Sequence, residues 1–221
     1  MKPQKSIKSF VKRNKRLTSS QKKFLDSKNE NINFCNVQEI LNYQHIFKNN
    51  NPCIMDIGFG DGKLLINTAK ENPEINFIGV EVYQSGIGRI LKQIAKEKLN
   101  NLIILNHDAV DLLENYIKNE SLHGISLFFP DPWPKKKHHK RRIININFIN
   151  LISYKLKKRG FIKIVTDWSN YNISIIDLFN QKDNFEKINE ISIYKFRPLT
   201  KFEKKGILLG HTISEISYIL K

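Results

Sequence analysis

The stretch Cys53-Ile54-Met55-Asp56-Ile57-Gly58-Phe59-Gly60-Asp61-Gly62 decides the fold class of this chain. Its first half is a short and mostly apolar run, which predicts a buried strand. Its second half alternates glycine with other residues, which predicts a tight turn. The segment that follows, residues 63–71, has the spacing of an amphipathic helix. A strand, a glycine-rich turn and a helix in this order are typical of an α/β domain.

The same alternation continues to the end of the chain. Short apolar runs predict further strands at residues 76–80, 102–105, 125–129, 161–165, 185–188 and 213–220. Helices are also predicted at residues 37–47, 88–98, 109–118, 142–158 and 171–180, the first with Asn36 as its N-cap. We therefore predict an α/β fold with a mostly parallel sheet and helices on both faces.

The charge of the chain is strongly positive and clustered. There are 37 Lys and Arg against 21 Asp and Glu in 221 residues, a formal net charge of +16. Part of this excess fits a sequence crowded with Asn, Ile and Lys, but the cations concentrate at residues 2–16, 135–142 and 195–205. Such clusters favour phosphate polymers or anionic membranes as partners. We predict a flexible basic arm at residues 1–24 and one domain at residues 25–221.

Other features restrict the location of the protein. No run of about 18 apolar residues is present, so no membrane-spanning helix is predicted. No apolar region follows the first lysines, as it would in a secretory signal, and a cytoplasmic location is expected. Cys35 and Cys53 have no neighbours at metal-ligand spacing, so we expect both to be reduced and buried.

Acidic residues follow three successive predicted strands. Asp56 ends the first strand, Glu81 closes the second and Asp108 follows the third. These positions meet at the edge of an open α/β sheet where ligands bind. Glu81 can accept hydrogen bonds from ribose hydroxyls, Asp108 from an adenine amino group, and Asp56 can serve an ammonium directly or through water. The alternative is that Asp56 and Asp108 only cap helices.

The glycine spacing distinguishes between nucleoside ligands. A dinucleotide fingerprint requires G-x-G-x-x-G, but Gly62 comes one position early and Lys63 stands where the third glycine belongs. An NAD-dependent dehydrogenase is therefore disfavoured. S-adenosylmethionine has no pyrophosphate, and it suits Gly58 and Gly60 together with the three acids.

The loop after the fourth strand is rigid and then strongly basic. It reads Pro130-Asp131-Pro132-Trp133-Pro134, and each proline fixes its φ, so the turn can hold Asp131 and Trp133 in set directions. Trp133 either stacks on a base or fills the core. Histidines 138 and 139 are adjacent and point apart, without an acid or cysteine at ligand spacing, so no metal site is predicted.

This loop resembles the hallmark of the bacterial tRNA (guanine-N7)-methyltransferases, a Pro-Asp-Pro-Trp-Pro-Lys turn followed by basic residues and histidines. The resemblance extends over nearly the whole chain. It includes residues 9–18, 56–62, 79–81, 166–168, 197–203 and 209–211. Asp56 stands where the family commonly has Glu, and Thr212, Ser214 and Glu215 depart from its last motif.

The resemblance implies the S-adenosylmethionine-dependent methyltransferase (Rossmann-like) fold, with seven strands and the last strand antiparallel. It implies transfer of the methyl group of S-adenosylmethionine to N7 of guanosine 46 in the variable loop of tRNA. Asp131 would line the cofactor site with Asp56, Glu81 and Asp108, and from its chemistry we also expect Asp131 to be catalytic. The substrate would be bound by Lys135, Asp167, Thr200, Lys201, Phe202 and Glu203. RNA would be contacted by Lys137, His138, His139, Lys140, Arg141 and Arg142. We expect no membrane or metal partner, and a monomer or weak dimer.

Two other functions remain open at this point. The first is a noncatalytic RNA-binding protein on a retained methyltransferase fold, against which the four intact acids argue. The second is a methyltransferase that acts on another RNA or on a base amine. Amine methylation usually requires Asn or Asp before Pro-Pro and an aromatic residue, whereas Trp133 follows a single proline.

Overall fold

The computed structural model describes residues 7–11, 37, 39–195 and 197–221. Its seven strands are β1 Cys53–Ile57, β2 Asn76–Val80, β3 Leu102–Leu105, β4 Leu122–Phe128, β5 Leu156–Thr166, β6 Phe185–Ile188 and β7 Ser214–Leu220. They form one sheet in the order β3-β2-β1-β4-β5-β7-β6. Strand β7 is antiparallel to both of its neighbours, and all other pairs are parallel. The predicted seven-stranded, mostly parallel sheet is confirmed.

Helices cover both faces of this sheet. They are α1 Tyr43–Phe47, α2 Lys63–Glu71, α3 Gln84–Glu97, α4 Ala109–Tyr116, α5 Ile146–Lys155, α6 Ser169–Asn180 and α7 Lys201–Leu208, with 3₁₀ turns at Lys136–Arg141 and Ser192–Tyr194. Helices α2 and α3 pack on one face through residues such as Leu65 and Ile90. Helices α4, α5 and α6 pack on the other through Leu112, Phe148 and Ile175. Each strand of the centre is therefore buried on both sides, as its apolar composition requires.

Strands β1 and β4 lie side by side although the chain visits β2 and β3 between them. The chain moves outward from β1 to β3 and then returns to the opposite side of β1. Neighbouring loops at the carboxyl ends of β1 and β4 consequently run in opposite directions and leave a crevice between them. The crevice contains the site described below.

Several predicted boundaries are wrong. The predicted helix at residues 142–158 is in fact α5, which is shorter, and β5 starts at Leu156 directly after the last residue of α5. The predicted helix at residues 37–47 is reduced to α1, whose N-cap is Asn42; the Asn42 side chain accepts a hydrogen bond from the N–H of His45 at 3.2 Å. Asn36 lies outside the described residues. Helix α3 starts at Gln84, earlier than the predicted residue 88.

Other predictions concern cysteines, membranes and domains. Cys53 is free and buried in β1, as predicted, whereas Cys35 lies outside the described residues. Among the helices of the described residues, none has the length and apolar character needed to cross a membrane. The division into an arm at residues 1–24 and a domain at residues 25–221 stays a prediction.

Candidate active site

A cavity of about 100 Å³ opens at the carboxyl ends of β1 to β4. Of the predicted site residues, Gly58, Glu81, Asp108 and Asp131 line it. Each of the four follows a different strand. The parallel register of the sheet therefore brings together groups that lie far apart in the sequence.

Glu81 holds the glycine-rich turn against the end of β2. Its buried carboxylate accepts hydrogen bonds from the backbone N–H groups of Gly60 at 3.1 Å, Val82 at 2.8 Å and Tyr83 at 3.1 Å. Gly58 and Gly60 have φ values of 75° and 60°. Glycine adopts this left-handed conformation without the steric cost that a Cβ would bring. Burial raises the pKa of Glu81 above its ordinary value.

Asp108 has two partners within the protein. One carboxylate oxygen accepts from the N–H of Val110 at 3.0 Å, so Asp108 is the N-cap of α4. The other oxygen accepts from the Lys8 ammonium at 2.7 Å, and this hydrogen bond raises the pKa of Lys8. Asp108 thus caps a helix, as the alternative predicted, and also lines the cavity. Asp56 does not cap α2, because the N-cap of α2 is Gly62.

Part of the basic N-terminal segment, residues 7–11, lies over the cavity. Ser9 and Phe10 line the cavity wall. The Ser9 carbonyl accepts from the indole N–H of Trp133 at 3.0 Å, and the Val11 carbonyl accepts from the Tyr83 hydroxyl at 3.0 Å. These bonds join the segment to the loop after β4 and to the start of α3.

The turn after β4 presents Asp131 to the cavity. Phe129 and Trp133 on either side of it have positive φ values of 55° and 46°. A non-glycine residue in this conformation costs on the order of 1–3 kcal/mol and is retained when surrounding contacts hold it. Asp131 is exposed. Burial is the main cause of the raised pKa of Glu81, and the negative charge of Asp131 raises this pKa further. The two carboxylates therefore act on each other across the cavity.

Trp133 lies outside the hydrophobic core. The ring of His138 packs against it edge-on with centroids 5.8 Å apart, and the Arg141 guanidinium lies 5.0 Å from its ring centroid. Of the two roles that the sequence left open for Trp133, filling the core is not observed. Stacking on a base stays a prediction.

Most of the candidate RNA contacts form a cationic surface beside the cavity. The 3₁₀ turn Lys136–Arg141 buries none of its side chains, and Lys135 just before it is exposed. Arg142 differs, because only 5% of its surface is exposed and its guanidinium is directed into the protein. The structure therefore does not place Arg142 on the predicted RNA-contact surface.

The candidate substrate residues 200–203 form the start of α7. Thr200 and Glu203 make a capping box, with 3.1 Å hydrogen bonds in both directions between side chain and backbone. Glu203 is buried and also accepts two hydrogen bonds from Arg197, at 2.6 and 3.0 Å. Phe202 is exposed, and its ring would lie 3.8 Å from a Cβ placed on Gly60. The start of α7 is thus adjacent to the glycine-rich turn, although Glu203 itself is engaged within the protein.

Asp167 is the remaining acidic candidate. It follows β5, and its Oδ2 lies 2.9 Å from Nδ1 of His211. Asp167 is partly exposed but does not line the cavity around Asp131. Among the described residues, no group of three or more His, Cys, Asp and Glu is placed to hold a metal ion.

The profile of a family described as a putative methyltransferase matches residues 50–216. A relative from Methylobacillus flagellatus named tRNA (guanine-N(7)-)-methyltransferase is 41% identical over 215 residues, covering 96% of this chain and 90% of that protein. Relatives of the same name from Vibrio parahaemolyticus and Mannheimia succiniciproducens are 40% and 39% identical over 217 residues, covering 96% of this chain and 91% and 87% of their own lengths.

The chain belongs to the tRNA (guanine-N(7)-)-methyltransferase family. It is therefore an enzyme of the methyltransferase class, as predicted. The fold agrees: the crystal structure of the 16S rRNA methyltransferase KamB covers 84% of this chain and 96% of its own with a TM-score of 0.57 and 11% identity. The aminoglycoside resistance methyltransferase NpmB1 matches with a TM-score of 0.56 and 14% identity, covering 80% of this chain and 91% of its own.

In this methyltransferase, Asp56 is not among the residues that line the cavity. Successive side chains of a strand point to opposite faces, and Ile57 next to it lines the cavity. The Asp56 carboxylate instead accepts a hydrogen bond from the Ser126 hydroxyl at 2.7 Å inside the sheet. Its burial raises its pKa to about 7, while Ser126 lowers it and Glu81 raises it.

Replacement of Asp56 by asparagine should stabilise the methyltransferase at high pH. Because the pKa of Asp56 is raised on folding, the wild-type protein loses stability as pH rises from the ordinary carboxyl pKa of 3.8 towards about 7. The asparagine side chain carries no charge and still offers an oxygen to Ser126. We expect the Asp56→Asn protein to exceed wild type by roughly 2–4 kcal/mol above pH 7 and by almost nothing at pH 4. Urea unfolding at several pH values measures this difference, and a pH-independent difference would contradict the assignment.

Several residues of the cavity were not predicted from the sequence. His107 and Ala109 flank Asp108, and Ile143 closes another wall. The signal for the first two was their position beside Asp108 at the carboxyl end of β3, where ligands bind. Phe10 is an aromatic residue within a run of cations, which was a signal for a contact. Ile143 gave no signal, because its place depends on the fold of the loop after β4.

Proposed function

We propose that this enzyme transfers the methyl group of S-adenosylmethionine to N7 of a guanosine in tRNA, namely guanosine 46 of the variable loop. The observation that carries this proposal is that the acid-lined cavity and the cationic 3₁₀ turn Lys136–Arg141 adjoin on one loop. Asp131 faces the cavity, and the exposed cations begin a few residues later at Lys135. One loop can thus bind phosphates and hold a base beside the cofactor.

The residues of the cavity fit S-adenosylmethionine chemically. Glu81 has two carboxylate oxygens with about four acceptor sites, of which three receive backbone N–H groups. The remaining site, on the oxygen bonded to Gly60, is available to a ribose hydroxyl. Asp108 can accept from an adenine amino group, and the left-handed Gly58 leaves open space where a Cβ would stand. The cofactor supplies a methyl group already activated on a sulfonium.

The protein residues then act mainly by positioning. N7 of guanine carries a lone pair in the ring plane and no proton at neutral pH, so no general base is needed. Asp131 can accept hydrogen bonds from N1–H and the amino group of guanine, which selects guanine over adenine. Its charge also stabilises the positive charge that develops on the methylated ring. Holding the two reactants in line can supply roughly 7–11 kcal/mol of the barrier.

Methyl transfer from labelled S-adenosylmethionine to unmodified tRNA, followed by nucleoside analysis, tests the proposed function. We expect label in 7-methylguanosine, and loss of that label when guanosine 46 is replaced in an otherwise identical transcript. Label that persists in the altered transcript would overturn the position. Tight tRNA binding without label or cofactor binding would favour the noncatalytic alternative.

Lys8 should compete with the cofactor for Asp108. A cavity of about 100 Å³ is small beside ligand pockets of roughly 300–1,000 Å³, and Ser9 and Phe10 form part of its wall. Entry of the cofactor therefore requires the segment to shift and the ion pair of Lys8 and Asp108 to open. This pair is half exposed on the lysine side and is worth at most about 1 kcal/mol.

We expect Lys8→Ala to tighten the binding of S-adenosylmethionine by about two- to fivefold, measured by titration calorimetry at low salt. Lys187→Ala, an exposed lysine on β6, is the matched control and should leave the affinity unchanged. Added salt should reduce the difference between Lys8→Ala and wild type, because it screens an exposed pair. Weaker binding in Lys8→Ala would instead show that Lys8 assists the cofactor.

A further inference from the structure

Arg142 lies beneath the turn that presents Asp131. Its Nε–H donates to the Pro132 carbonyl at 2.9 Å, and this carbonyl belongs to the residue directly after Asp131. Its Nη2 group donates to Asn170 Oδ1 at 2.9 Å and lies 3.1 Å from Nε2 of His139. The guanidinium also lies 4.6 Å from the ring centroid of Tyr171. Arg142 therefore ties the turn to α6.

The turn requires such a support. Phe129 and Trp133, at its two ends, both adopt the left-handed conformation that is unfavourable for bulky side chains. Conformations of this kind persist only where surrounding contacts determine them. The Phe129 end is held by its own N–H, which donates to the Val165 carbonyl at 2.8 Å. Nearer the other end, the Arg142 side chain bonds to the backbone of the turn at Pro132.

The support is itself rigid. Tyr171 is fully buried in α6, and its hydroxyl accepts from the N–H of Ile144 at 3.1 Å. The Tyr171 ring therefore fixes both the guanidinium above it and the backbone two residues after Arg142. A planar guanidinium can stack on a ring while its edge donates in two directions, which a lysine ammonium cannot do.

We propose that Arg142 is a positioning residue of the methyltransferase, which fixes the direction of the Asp131 carboxylate through the Pro132 carbonyl. This inference rests on the proposed function in assigning Asp131 to the target base. Arg142 acts on the rate of transfer rather than on RNA affinity. Its contact with His139 also joins the cationic turn to the turn that presents Asp131. RNA bound at the cationic turn therefore meets an Asp131 carboxylate that is already oriented.

The test compares Arg142→Lys with Lys140→Ala. Arg142→Lys keeps the charge but loses the stacked, two-directional geometry. We expect kcat to fall about 100-fold, as a displacement of about 1 Å can cause, with KM for tRNA within about twofold of wild type. Lys140→Ala removes an exposed cation of the same loop. It should raise KM for tRNA and reduce the log–log salt slope by about 0.7–0.9, as expected for a phosphate contact.

A second readout is independent of turnover. The chain contains two tryptophans, so a Trp168→Phe background leaves Trp133 as the sole tryptophan. Acrylamide quenching of Trp133 fluorescence should increase when Arg142→Lys or Arg142→Ala is added to this background, and should not change with Lys140→Ala. Thermal melting of each variant identifies any protein that fails to fold. Asn170→Ala removes one partner of Arg142 and should lower kcat by a smaller factor than Arg142→Lys does.

Wild-type turnover in the same assay tests the proposed function. The ratio of kcat between wild type and Arg142→Lys tests the positioning role of Arg142. Normal kcat in Arg142→Lys would overturn the proposal. A raised KM for tRNA with unchanged kcat would show a phosphate contact and also overturn it. If the wild-type protein did not methylate tRNA, the proposed function would fall, and unchanged Trp133 quenching in the Arg142 variants would separately reject the support of the turn.

Discussion

Asp131→Ala should abolish methyl transfer to guanine N7 while leaving the methyltransferase folded. Asp131 is exposed at the cavity and lies on no core element, so its loss should leave the protein folded with a cooperative unfolding transition. The rate should fall by at least about 10²–10³-fold, because a group aimed at charge developing in the transition state contributes that much. Single-turnover methyl transfer with saturating tRNA and cofactor measures the loss.

The matched controls separate chemistry from charge. Asp183→Ala removes an exposed acid in the turn between α6 and β6 and should keep the wild-type rate. Asp131→Asn keeps the shape but replaces one acceptor oxygen with a donor, so it should lose most of the rate as well. Normal turnover in Asp131→Ala would defeat the assignment. Asp167→Ala, measured beside it, shows how much this second carboxylate contributes to the rate.

The sheet could be predicted because its signals are local. Short apolar runs marked all seven strands, and the bounds of every strand except β5 agree within about three residues with those observed. The boundary of α5 and β5 could not be predicted. Lys155 ends the helix and Leu156 starts the strand with no glycine or proline between them, and the exposed residues Lys157, Lys158 and Arg159 belong to the strand although their composition gives no strand signal. The strand starts at Leu156 because this residue pairs with Leu122 of β4.

The site was predictable to a different extent for each residue. Glu81 and Asp108 were predicted to lie close together because loops at the ends of successive parallel strands converge by topology alone, and both line the cavity. Asp56 does not line the cavity, whereas the next residue, Ile57, does. The reason is that successive side chains of a strand point to opposite faces. Arg142 was predicted to contact RNA with the other cations of its loop, whereas the structure buries it. Its burial depends on Tyr171, a contact between distant parts of the sequence that no local pattern encodes.

The Glu81 carboxylate holds the glycine-rich turn and, in the proposed function, also accepts a hydrogen bond from the cofactor. Its replacement should therefore have the largest effect on the cofactor site. Glu81→Ala leaves the N–H groups of Gly60, Val82 and Tyr83 without their acceptor in a buried place. Each unsatisfied group costs about 1–3 kcal/mol. We expect the free energy of unfolding to fall by on the order of 3 kcal/mol or more, and this loss of stability would confuse any binding measurement.

Glu81→Gln is therefore the decisive variant. Its amide oxygen can still accept hydrogen bonds from the N–H groups of Val82 and Tyr83, but its NH₂ group then faces the N–H of Gly60. Both of these groups are donors, so no hydrogen bond can form between them. The glycine-rich turn should move away, and the acceptor site for a ribose hydroxyl is lost with it. We expect S-adenosylmethionine to bind about 100-fold more weakly by titration calorimetry, from loss of an acceptor and displacement of the turn together. Glu71→Gln, exposed at the end of α2, is the control and should bind normally. If Glu81→Gln bound the cofactor as wild type does, Glu81 would serve only to hold the turn, and the cofactor would have to lie elsewhere in the crevice between β1 and β4.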